Sequence, residues 1–328
     1  MRPTRTALAA ALLALAGFAA WIGVEYRRDL RAHAERVAHG SRVIDTACGA
    51  VEVAEAGDPA GPALLVIHGS GGGFDQGLLL GRDYAARGHR VIAPSRFGYL
   101  RTPLPDDPSG ERQADHLACL LDALGVPDVA VLGVSAGGVS ALHFALRHAP
   151  RTRALVLMVP AVHRPDPAVP MPAWALPLLD AVVGADLPLW LLARFAPDTA
   201  RRLVLATPPS AYDDADAGER ARADALLAQI QPVSARRGGL RNDSRLTIGA
   251  ARVALESIRA PTLCISARDD GFGTFASAQY SARHIPGARL LGFERGGHLL
   301  LGHQRTVVDA VDAWLRGAPA GGAQREGR

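Results

Sequence analysis

The sequence predicts an α/β fold: a mostly parallel, doubly wound sheet with a helical insertion, preceded by an apolar helix. Three observations lead to this prediction. Short apolar, strand-like runs alternate with helical patterns, which is typical of a parallel sheet covered by helices on both faces. The alternation stops after Pro160 and resumes at Thr262. An uncharged run, Thr6–Val24, lies near the beginning of the chain.

Composition and charge exclude some classes of function. The chain has 328 residues, enough for one large domain with an insertion. All 36 basic residues are arginine, the net charge is only +4, and no basic stripe with interleaved aromatics occurs, so we do not expect nucleic-acid binding. The spacing of Cys48, Cys119 and Cys264 matches no metal site, and we expect each to be a small buried hydrophobe. No metal and no organic cofactor is expected.

The N-terminal run predicts a membrane segment. As a helix, Thr6–Val24 would span about 28 Å, close to the roughly 30 Å of a bilayer's hydrocarbon core. Trp21 and the charged segment Glu25–Arg31 resemble an interfacial boundary. We predict an uncleaved anchor over residues 1–24 and a helical stalk over residues 25–41, with export of the rest of the chain favoured. The alternatives are a cleaved signal peptide of a secreted or periplasmic protein, and a soluble helix.

Residues 42–160 are interpreted as the first part of the sheet domain. Apolar, β-branched runs predict its strands, and amphipathic spacing predicts its helices. The predicted strands are Arg42–Cys48, Val51–Ala54, Ala63–Ile67, Val91–Ala93, Val129–Leu132 and Ala154–Met158, and the predicted helices are Leu78–Arg87, Gly110–Leu124 and Val139–Arg147.

Residues 161–256 are interpreted as a helical cap. They are rich in proline, show no strand pattern, and contain helical stretches at Trp174–Val183, Leu187–Phe195 and Gly218–Gln229. We expect Trp174, Trp190 and Phe195 in the core of this cap, with one of them alternatively lining a pocket.

The sheet domain resumes over residues 257–317. Its predicted elements are the strands Thr262–Ser266 and Arg289–Phe293 and a closing helix, Gln304–Leu315. The Gly-rich residues 318–328 predict a disordered tail.

The chemistry is concentrated in Gly133–Val134–Ser135–Ala136–Gly137, where an apolar strand turns into a helix. This Gly-x-Ser-x-Gly pattern presents a serine hydroxyl on a sharp, strained turn at the positive end of a helix. A side chain at Gly133 or Gly137 would collide with neighbouring backbone. Ser135 is therefore the predicted nucleophile, and it needs a base and a group that orients the base.

The base and its orienting acid are expected after later strands, in the order serine, acid, histidine. Asp270 follows the strand Thr262–Ser266, and His298 follows the strand Arg289–Phe293. We predict Asp270 as the acid and His298 as the base. Asp269 is expected to support its loop or cap a helix, and His303 to lie at the surface or cap the last helix.

Two backbone N–H groups are expected to form an oxyanion hole. One belongs to Ala136, the residue after the nucleophile. The other comes from His68–Gly73, whose four glycines permit close approach to a substrate, and we assign it to Ser70, with Gly69 or Gly71 as alternatives. His68 itself is expected to shape this loop through hydrogen bonds. Arg236 and Arg237 are expected on a solvated surface, with binding of an anionic substrate as the alternative.

On these residues the chain resembles the α/β-hydrolase fold superfamily, on the branch with a helical cap. The likeness runs from Arg42 to Arg316 and is carried by Gly133–Gly137, His68–Gly73, Asp270 and Gly297–His298. The acid of that family follows a Gly-x-x-Asp pattern. Ala267 takes the place of the glycine here, and the spacing selects Asp270 over Asp269. The family's Asp-x-x-Gly-x-Gly loop corresponds to Ser95–Leu100, which keeps one glycine and lacks the aspartate.

The resemblance implies a serine hydrolase that forms an acyl-enzyme. His298 would take the proton of Ser135 while Asp270 fixes its tautomer. Carboxylic esters of small to medium apolar substrates are the first substrate prediction. A C–C bond hydrolase of ring-cleavage products has the same fold and triad, and a catalytically silent, membrane-tethered binding protein is the non-enzymatic alternative. Dehalogenases and epoxide hydrolases are less similar, because they use an aspartate nucleophile.

Overall fold

One twisted sheet organises the molecule. The computed structural model describes residues 5–164, 185–247 and 252–317. Within these ranges the strands of the sheet are β1 (Arg42–Thr46), β2 (Gly49–Gly57), β3 (Ala63–Ile67), β4 (Arg90–Pro94), β5 (Val129–Val134), β6 (Thr152–Met158), β7 (Thr262–Ala267) and β8 (Arg289–Phe293). Their spatial order is β1-β2-β4-β3-β5-β6-β7-β8.

From β3 onward the helices of the described residues alternate with the strands, except in the long segment between β6 and β7. They are α1 (Arg5–Ala38), α2 (Phe74–Ala86), α3 (Gly110–Ala123), α4 (Gly137–Arg147), α5 (Asp186–Phe195), α6 (Pro197–Val204), α7 (Pro209–Asp214), α8 (Ala217–Gln229), α9 (Arg237–Thr247), α10 (Thr274–His284) and α11 (Gln304–Leu315).

The sheet is parallel from β4 to β8 and antiparallel only where β1 and β2 join it. This confirms the predicted fold class. The chain goes from β3 outward to β4 on one side and returns to β5 on the other, so the strand order reverses between β3 and β5. Ligands of open α/β sheets bind at the carboxyl ends of the strands at such a point. Ile67, at the end of β3, pairs there with Gly133 of β5.

Alternating side chains of the strands fill two cores, one on each face. Leu65 and Ile67 belong to the cluster that packs against α3 and α4. Leu64 and Val66 belong to the opposite cluster, which includes Val311 of α11. Both faces of the central strands are therefore buried, which explains their continuous apolar runs.

The segment between β6 and β7 contains helices and no strand in its described part, which confirms the predicted insertion. Helices α5 and α8 match the predicted stretches, whereas α6, α7 and α9 were not predicted, and neither was α10 of the sheet domain. Trp174–Val183 lies outside the described residues. A third apolar cluster joins Leu226, Leu227 and Ile230 of the cap to Leu299 and Leu301, in the loop after β8.

Helix α1 runs without interruption from Arg5 to Ala38, so the apolar run and the charged stalk form one rod of roughly 51 Å. It is the one helix of the described chain that is long and apolar enough to cross a membrane. Leu13 and Val24 are exposed on it. The C-terminal half of α1 packs on cap helix α5, whereas the apolar run in its N-terminal half is not buried against the domain.

The expectation for two of the cysteines is wrong. Cys48 and Cys119 form a disulfide with a Cα–Cα distance of 6.0 Å. The β1–β2 turn lies against α3, where a Cβ on Gly49 would be 3.6 Å from the His116 ring, and this packing brings the two cysteines together. Cys264 is free and buried within β7, as predicted, and burial raises the pKa of its thiol to about 12.

Candidate active site

Ser135 occupies a sharp turn between β5 and α4. Its φ is +53°, a left-handed conformation that is strained for a residue with a Cβ. A Cβ on Gly137 would lie 2.4 Å from the carbonyl oxygen of Ile67, and one on Gly133 would lie 2.5 Å from the Cβ of Ala141. Both positions therefore require glycine. The Ser135 N–H donates to the carbonyl of Met158 at 3.0 Å, which fixes the turn and leaves the half-buried side chain at the edge of the sheet.

Asp270 and His298 are brought together in the loops after β7 and β8. His298 Nδ1 lies 2.8 Å from Asp270 Oδ2, and the Asp270 side chain is completely buried. The carboxylate also accepts the Phe272 N–H at 2.8 Å and the Thr274 hydroxyl. Because a carboxylate only accepts, the shared proton is assigned to Nδ1, which leaves Nε2 as the proton acceptor of a neutral imidazole.

The Asp270 carboxyl group remains ionised despite its burial. Desolvation on its own would raise its pKa, but the charge and hydrogen bond of His298, with the donations from Thr274 and the Phe272 N–H, lower the pKa below its ordinary value. A permanent negative charge at this position holds the imidazole tautomer and stabilises the imidazolium that forms when His298 accepts a proton.

Ser135 and His298 share the carboxyl edge of the sheet, because β5, β7 and β8 are parallel to one another through β6. Within the described ranges no hydrogen bond joins the Ser135 hydroxyl to the His298 imidazole, whose hydrogen-bond partner is Asp270. Such bonds are often long in ligand-free enzymes and tighten when a substrate binds.

The loop after β3 contains one backbone donor of interest that has no protein acceptor among the described residues. The Gly69 N–H donates to Gln76 Oε1 at 2.9 Å, and the Gly71 N–H donates to the Tyr99 hydroxyl at 3.3 Å. Within the described part of the chain, the N–H groups of Ser70 and Ala136 donate no hydrogen bond. The alternative donors, the N–H groups of Gly69 and Gly71, are thus already engaged, whereas those of Ser70 and Ala136 have no acceptor among the described residues.

Two other polar residues singled out from the sequence, Asp269 and His303, have structural partners. Asp269 accepts the N–H groups of Gly296 and Gly297 at 3.1 and 2.8 Å, so it supports the loop that carries His298. His303 lies at the N-cap position of α11 without a capping hydrogen bond and stacks on Phe293 with ring centroids 4.0 Å apart.

His68 is fully buried at the base of the loop after β3, residues 68–73, which we call the oxyanion loop after its predicted role. Its Nε2 accepts the Arg96 N–H at 3.0 Å, and its Nδ1 donates to the Gly69 carbonyl at 2.7 Å. These two bonds define a single neutral tautomer. Burial, followed by the charge of Arg96, holds the pKa of His68 well below its ordinary value of 6.5. His68 therefore shapes its loop as a neutral hydrogen-bonding group.

Sequence reasoning missed a set of buried ion pairs between the cap and the sheet domain. We call Arg96, Asp243, Asp75 and Arg236 the cap seam. The Arg96 guanidinium binds both carboxylate oxygens of Asp243 of α9 at 2.6 Å. Asp243 Oδ2 also accepts the Ser70 hydroxyl at 2.8 Å and the Tyr99 hydroxyl. The side chain of Ser70, whose N–H points to no protein partner, is thereby held by the cap.

The expectation that Arg236 lies on a solvated surface is wrong. Its side chain has no exposed area, because it pairs with Asp75 at 2.9 Å and donates to the Gly72 carbonyl. Arg36 of α1 reaches the same Asp75 carboxylate and donates to the Gln231 carbonyl at 2.7 Å. Arg237 is exposed, as expected. Nothing local distinguishes these two adjacent arginines, which is why the burial of one was not predicted.

Helix α8 of the cap holds the loop that carries His298. Glu219 accepts the N–H groups of Gly302 and Gln304 at 2.7 and 2.8 Å, and Arg222 donates to the Leu299 carbonyl at 2.9 Å. The cap is therefore bonded to both loops that flank Ser135.

Of the aromatic residues expected in the cap core, Trp190 is buried and Phe195 is not, being 52% exposed. Phe272, which was not singled out, meets the His298 ring edge to face at a centroid distance of 4.8 Å.

Comparison with known proteins agrees with this architecture. The α/β hydrolase fold family matches residues 62–302. A 2-hydroxy-6-oxononadienedioate/2-hydroxy-6-oxononatrienedioate hydrolase of Paraburkholderia xenovorans strain LB400 is 30% identical over 248 residues, covering 72% of this chain and 80% of its own. An α/β hydrolase fold protein from Nakamurella multipartita superposes with a TM-score of 0.67 at 30% identity, covering 84% of this chain and 99% of its own.

A crystal structure of a membrane phospholipase A superposes with a TM-score of 0.62 and covers 96% of this chain and 99% of its own. That coverage extends the likeness into α1, although an identity of 19% supports the fold alone. The family match spans more than half of the sequence, and the first relative is aligned over four-fifths of its length. The chain therefore belongs to the α/β hydrolase fold family and is a hydrolase of that fold.

Proposed function

We propose that this protein is a serine hydrolase in which Ser135, His298 and Asp270 form the catalytic triad and the N–H groups of Ser70 and Ala136 form the oxyanion hole. The observation that carries the proposal is the buried Asp270–His298 pair at the same sheet edge as a serine in a strained turn. A purely structural ion pair does not require a nearby serine with positive φ. A nucleophilic serine of this fold does, because the strained turn exposes its hydroxyl at the edge of the sheet.

The chemistry follows from the positions of these groups. His298 Nε2 takes the hydroxyl proton as Ser135 Oγ bonds to a carbonyl carbon, and the carbonyl oxygen becomes an oxyanion held by the two N–H groups. Collapse of the oxyanion breaks the bond to the leaving group, which receives the proton from His298. Water, deprotonated by the same imidazole, then hydrolyses the acyl-enzyme.

We propose a C–C bond as the bond that is cleaved. Its support is the relative from Paraburkholderia xenovorans, whose name describes hydrolysis of a hydroxy-oxo dienedioate and which aligns over most of both chains. In such a substrate the electron pair of the broken C–C bond passes into a conjugated carbonyl system. The leaving carbon is then protonated by His298. The comparisons favour this substrate class over the esters that the sequence ranked first.

A carboxylic ester is the second candidate, and one feature of the structure favours it. Acidic substrates need a cation in the pocket, but the buried arginines of the cap seam are neutralised by carboxylates. Arg96 is bidentate to Asp243, and Arg236 is paired with Asp75. Among the described residues these arginines offer an anion no unpaired charge near Ser135. Esters of apolar acids need none.

Active-site labelling tests the triad. The full-length protein is treated with a fluorophosphonate probe, which bonds to activated serines. We expect labelling of the wild type, its loss in Ser135→Ala, and unchanged labelling in Ser244→Ala, which alters an exposed serine of α9. Labelling that survives Ser135→Ala would refute the assignment, and absence of labelling in the wild type would favour a silent binding protein.

Substrate assays separate the two bond types. Turnover of a vinylogous 1,5-diketone is compared with turnover of aryl esters of increasing acyl length, in the wild type and in Ser135→Ala. The proposal requires a higher kcat/KM for the diketone, and a higher value for an ester would establish the second candidate. Ser135→Ala should lower either turnover by about 10⁴–10⁶-fold.

We also propose that α1 anchors the protein in a membrane with the hydrolase domain on the exported side. Support comes from the length and exposure of its apolar run and from the Cys48–Cys119 disulfide, since disulfides persist mainly in oxidising compartments. A cleaved signal peptide is the alternative. Membrane fractionation of cells expressing the chain, with alkali extraction, tests this: an anchored protein stays with the membranes at full length.

A further inference from the structure

Cap helix α5 meets α1 where α1 leaves its apolar run. The Trp190 indole N–H donates to Asp29 Oδ2 at 3.0 Å, and the Trp190 and Tyr26 rings meet edge to face at 5.5 Å. Tyr26 is two residues beyond Val24, where the uncharged run ends. At about 1.5 Å per residue, Tyr26 and Asp29 lie roughly 3 and 8 Å past that point along the helix. These contacts fix α5 beside the boundary between the apolar and charged halves of α1.

The outer side of α5 is apolar. Leu187 and Phe195 lie about two turns apart on it and are 41% and 52% exposed. The Phe195 ring lies 6.3 Å from that of Trp190, which connects this exposed side to α1. Single exposed hydrophobic residues are common on protein surfaces. These two differ from isolated exposed residues because they lie next to α1, whose apolar run is proposed to enter a bilayer.

The charges near α5 favour an anionic surface. Exposed arginines lie at this level on both helices: Arg27 and Arg31 on α1, and Arg194 on α5. Of the neighbouring acids, Glu25 and Asp29 lie within ion-pair distance of Arg28, and Asp198 pairs with Arg201. Asp186 accepts from Ser234, which is neutral, and so keeps its negative charge. Basic residues near anionic lipid headgroups contribute roughly 1 kcal/mol each, and aromatic rings concentrate in the same layer.

We propose that the outer side of α5, with Leu187, Arg194 and Phe195, lies in the headgroup layer of an anionic bilayer, and that Phe195 inserts toward the acyl chains. The proposal rests on the anchoring of α1 proposed above. It makes the cap, which is bonded to both loops around Ser135, a membrane-facing surface of the enzyme.

The test uses the full-length protein in nanodiscs of phosphatidylglycerol and phosphatidylcholine that contain a spin-labelled lipid. An NBD fluorophore is attached to a cysteine introduced by Phe195→Cys. The native cysteines do not compete, because Cys48 and Cys119 are paired and Cys264 is buried. Leu13→Cys, inside the apolar run, is the positive control. Val43→Cys, 42% exposed on β1, is the aqueous control, since α1 extends roughly 21 Å between Val24 and Ala38.

We expect the fluorophore at position 195 to emit at shorter wavelength, and to be quenched by the spin-labelled lipid several-fold more strongly, than the fluorophore at position 43. Quenching at position 13 with none at position 195 would overturn the docking of the cap and leave the anchor standing. Absence of quenching at both positions would refute the anchor and the docking together. Quenching at position 195 that disappears in nanodiscs of phosphatidylcholine alone would support the role of the arginines.

A second variant separates docking from folding. Phe195→Glu places a charge on the outer side of α5 without touching Ser135, Asp270 or His298. Turnover of a water-soluble aryl ester should remain within about twofold of the wild-type value, while quenching at a reporter introduced by Leu187→Cys should fall to the level of position 43. Undiminished quenching at position 187 would show that Phe195 is not the inserting residue and would contradict the proposal.

Discussion

The sheet edge that carries Asp270 and His298 and the cap seam are built in different ways. At the sheet edge, Asp270 and His298 each follow directly after their own strand, so chain order and strand order place them. In the cap seam the paired residues are 147 and 161 positions apart, and each pair joins the insertion to the sheet domain, at Arg96 after β4 and at Asp75 in α2. In the proposed function the sheet edge supplies the reactive groups, whereas the cap seam holds the cap on the sheet domain.

The two regions are expected to differ in how much they contribute to the free energy of unfolding. In the proposed triad Asp270 and His298 hold and move a proton, so we expect them to contribute less to the stability of the fold than the cap seam does. The carboxylates and guanidinium groups of the cap seam are desolvated, and they are tolerable only because each charge has a partner. Variants at the sheet edge should therefore fold and lack activity, whereas single variants in the cap seam should lose stability first.

The largest expected effect is a difference in kcat between variants of two adjacent carboxylates, Asp270 and Asp269. Asp270→Asn leaves the imidazole without its anionic partner and favours the wrong tautomer, so kcat should fall by about 10⁴-fold. Asp269→Asn removes only a loop acceptor and should lower kcat less than tenfold. Steady-state kinetics measures both, and unchanged circular dichroism would show that Asp270→Asn is folded. Equal losses in the two variants would mean that the acid has been misassigned.

The next effect concerns Arg96 and Asp243 of the cap seam. Asp243→Leu leaves a buried guanidinium unpaired and should cost about 3–5 kcal/mol of unfolding free energy in urea. Combining it with Arg96→Met removes both charges, and a large part of that loss should be recovered. The exposed pair Arg252–Glu256 serves as the control, since Glu256→Ala should cause no measurable change. A double variant less stable than Asp243→Leu would contradict this account.

The sequence was sufficient for the parts of the molecule that rest on local patterns. β3, β8 and α11 begin and end at the residues predicted, and the strand–turn–helix at Ser135 needs only nearby glycines. Helix α9 was missed because its segment contains two glycines, an asparagine and an aspartate, which are poor helix formers. Its Asp243 is fixed by Arg96, a contact that no local pattern reveals.

Partners that are distant in the sequence also explain the wrong predictions for single residues. Arg236 is followed by another arginine and two glycines, a polar context that is usual for a surface, yet Asp75 and the Gly72 carbonyl receive it in the interior. Cys48 and Cys119 are separated by 71 positions, and their pairing depends on how the β1–β2 turn packs against α3. Partners of this kind become visible only when the fold is known.

A comparable loss of stability is expected from reduction of the disulfide. Opening a loop of this length restores conformational entropy to the unfolded chain, roughly 4 kcal/mol in the chain-entropy model. Urea unfolding with and without dithiothreitol should therefore differ for the wild type and not for the Cys48→Ala/Cys119→Ala variant. Because the disulfide is remote from Ser135, kcat of the folded, reduced enzyme should stay within about twofold. A reductant effect on the double variant would point to another cause.

The smallest expected effect is on the pH dependence of stability, and it tests whether His68, which bonds to Arg96 of the cap seam, stays neutral. Burial and Arg96 hold the pKa of His68 well below 6.5, so below that pH the unfolded chain binds a proton that the native protein does not. Stability is therefore lost as pH falls, by about 1 kcal/mol between pH 6.5 and 5.5 for one such group. In His68→Gln, whose amide oxygen can still accept the Arg96 N–H, this component should disappear. Urea unfolding at several pH values measures the difference, and identical pH slopes for both proteins would mean that His68 becomes protonated in the native state. That result would place a positive charge beneath the oxyanion loop and overturn its assignment as a neutral positioning group.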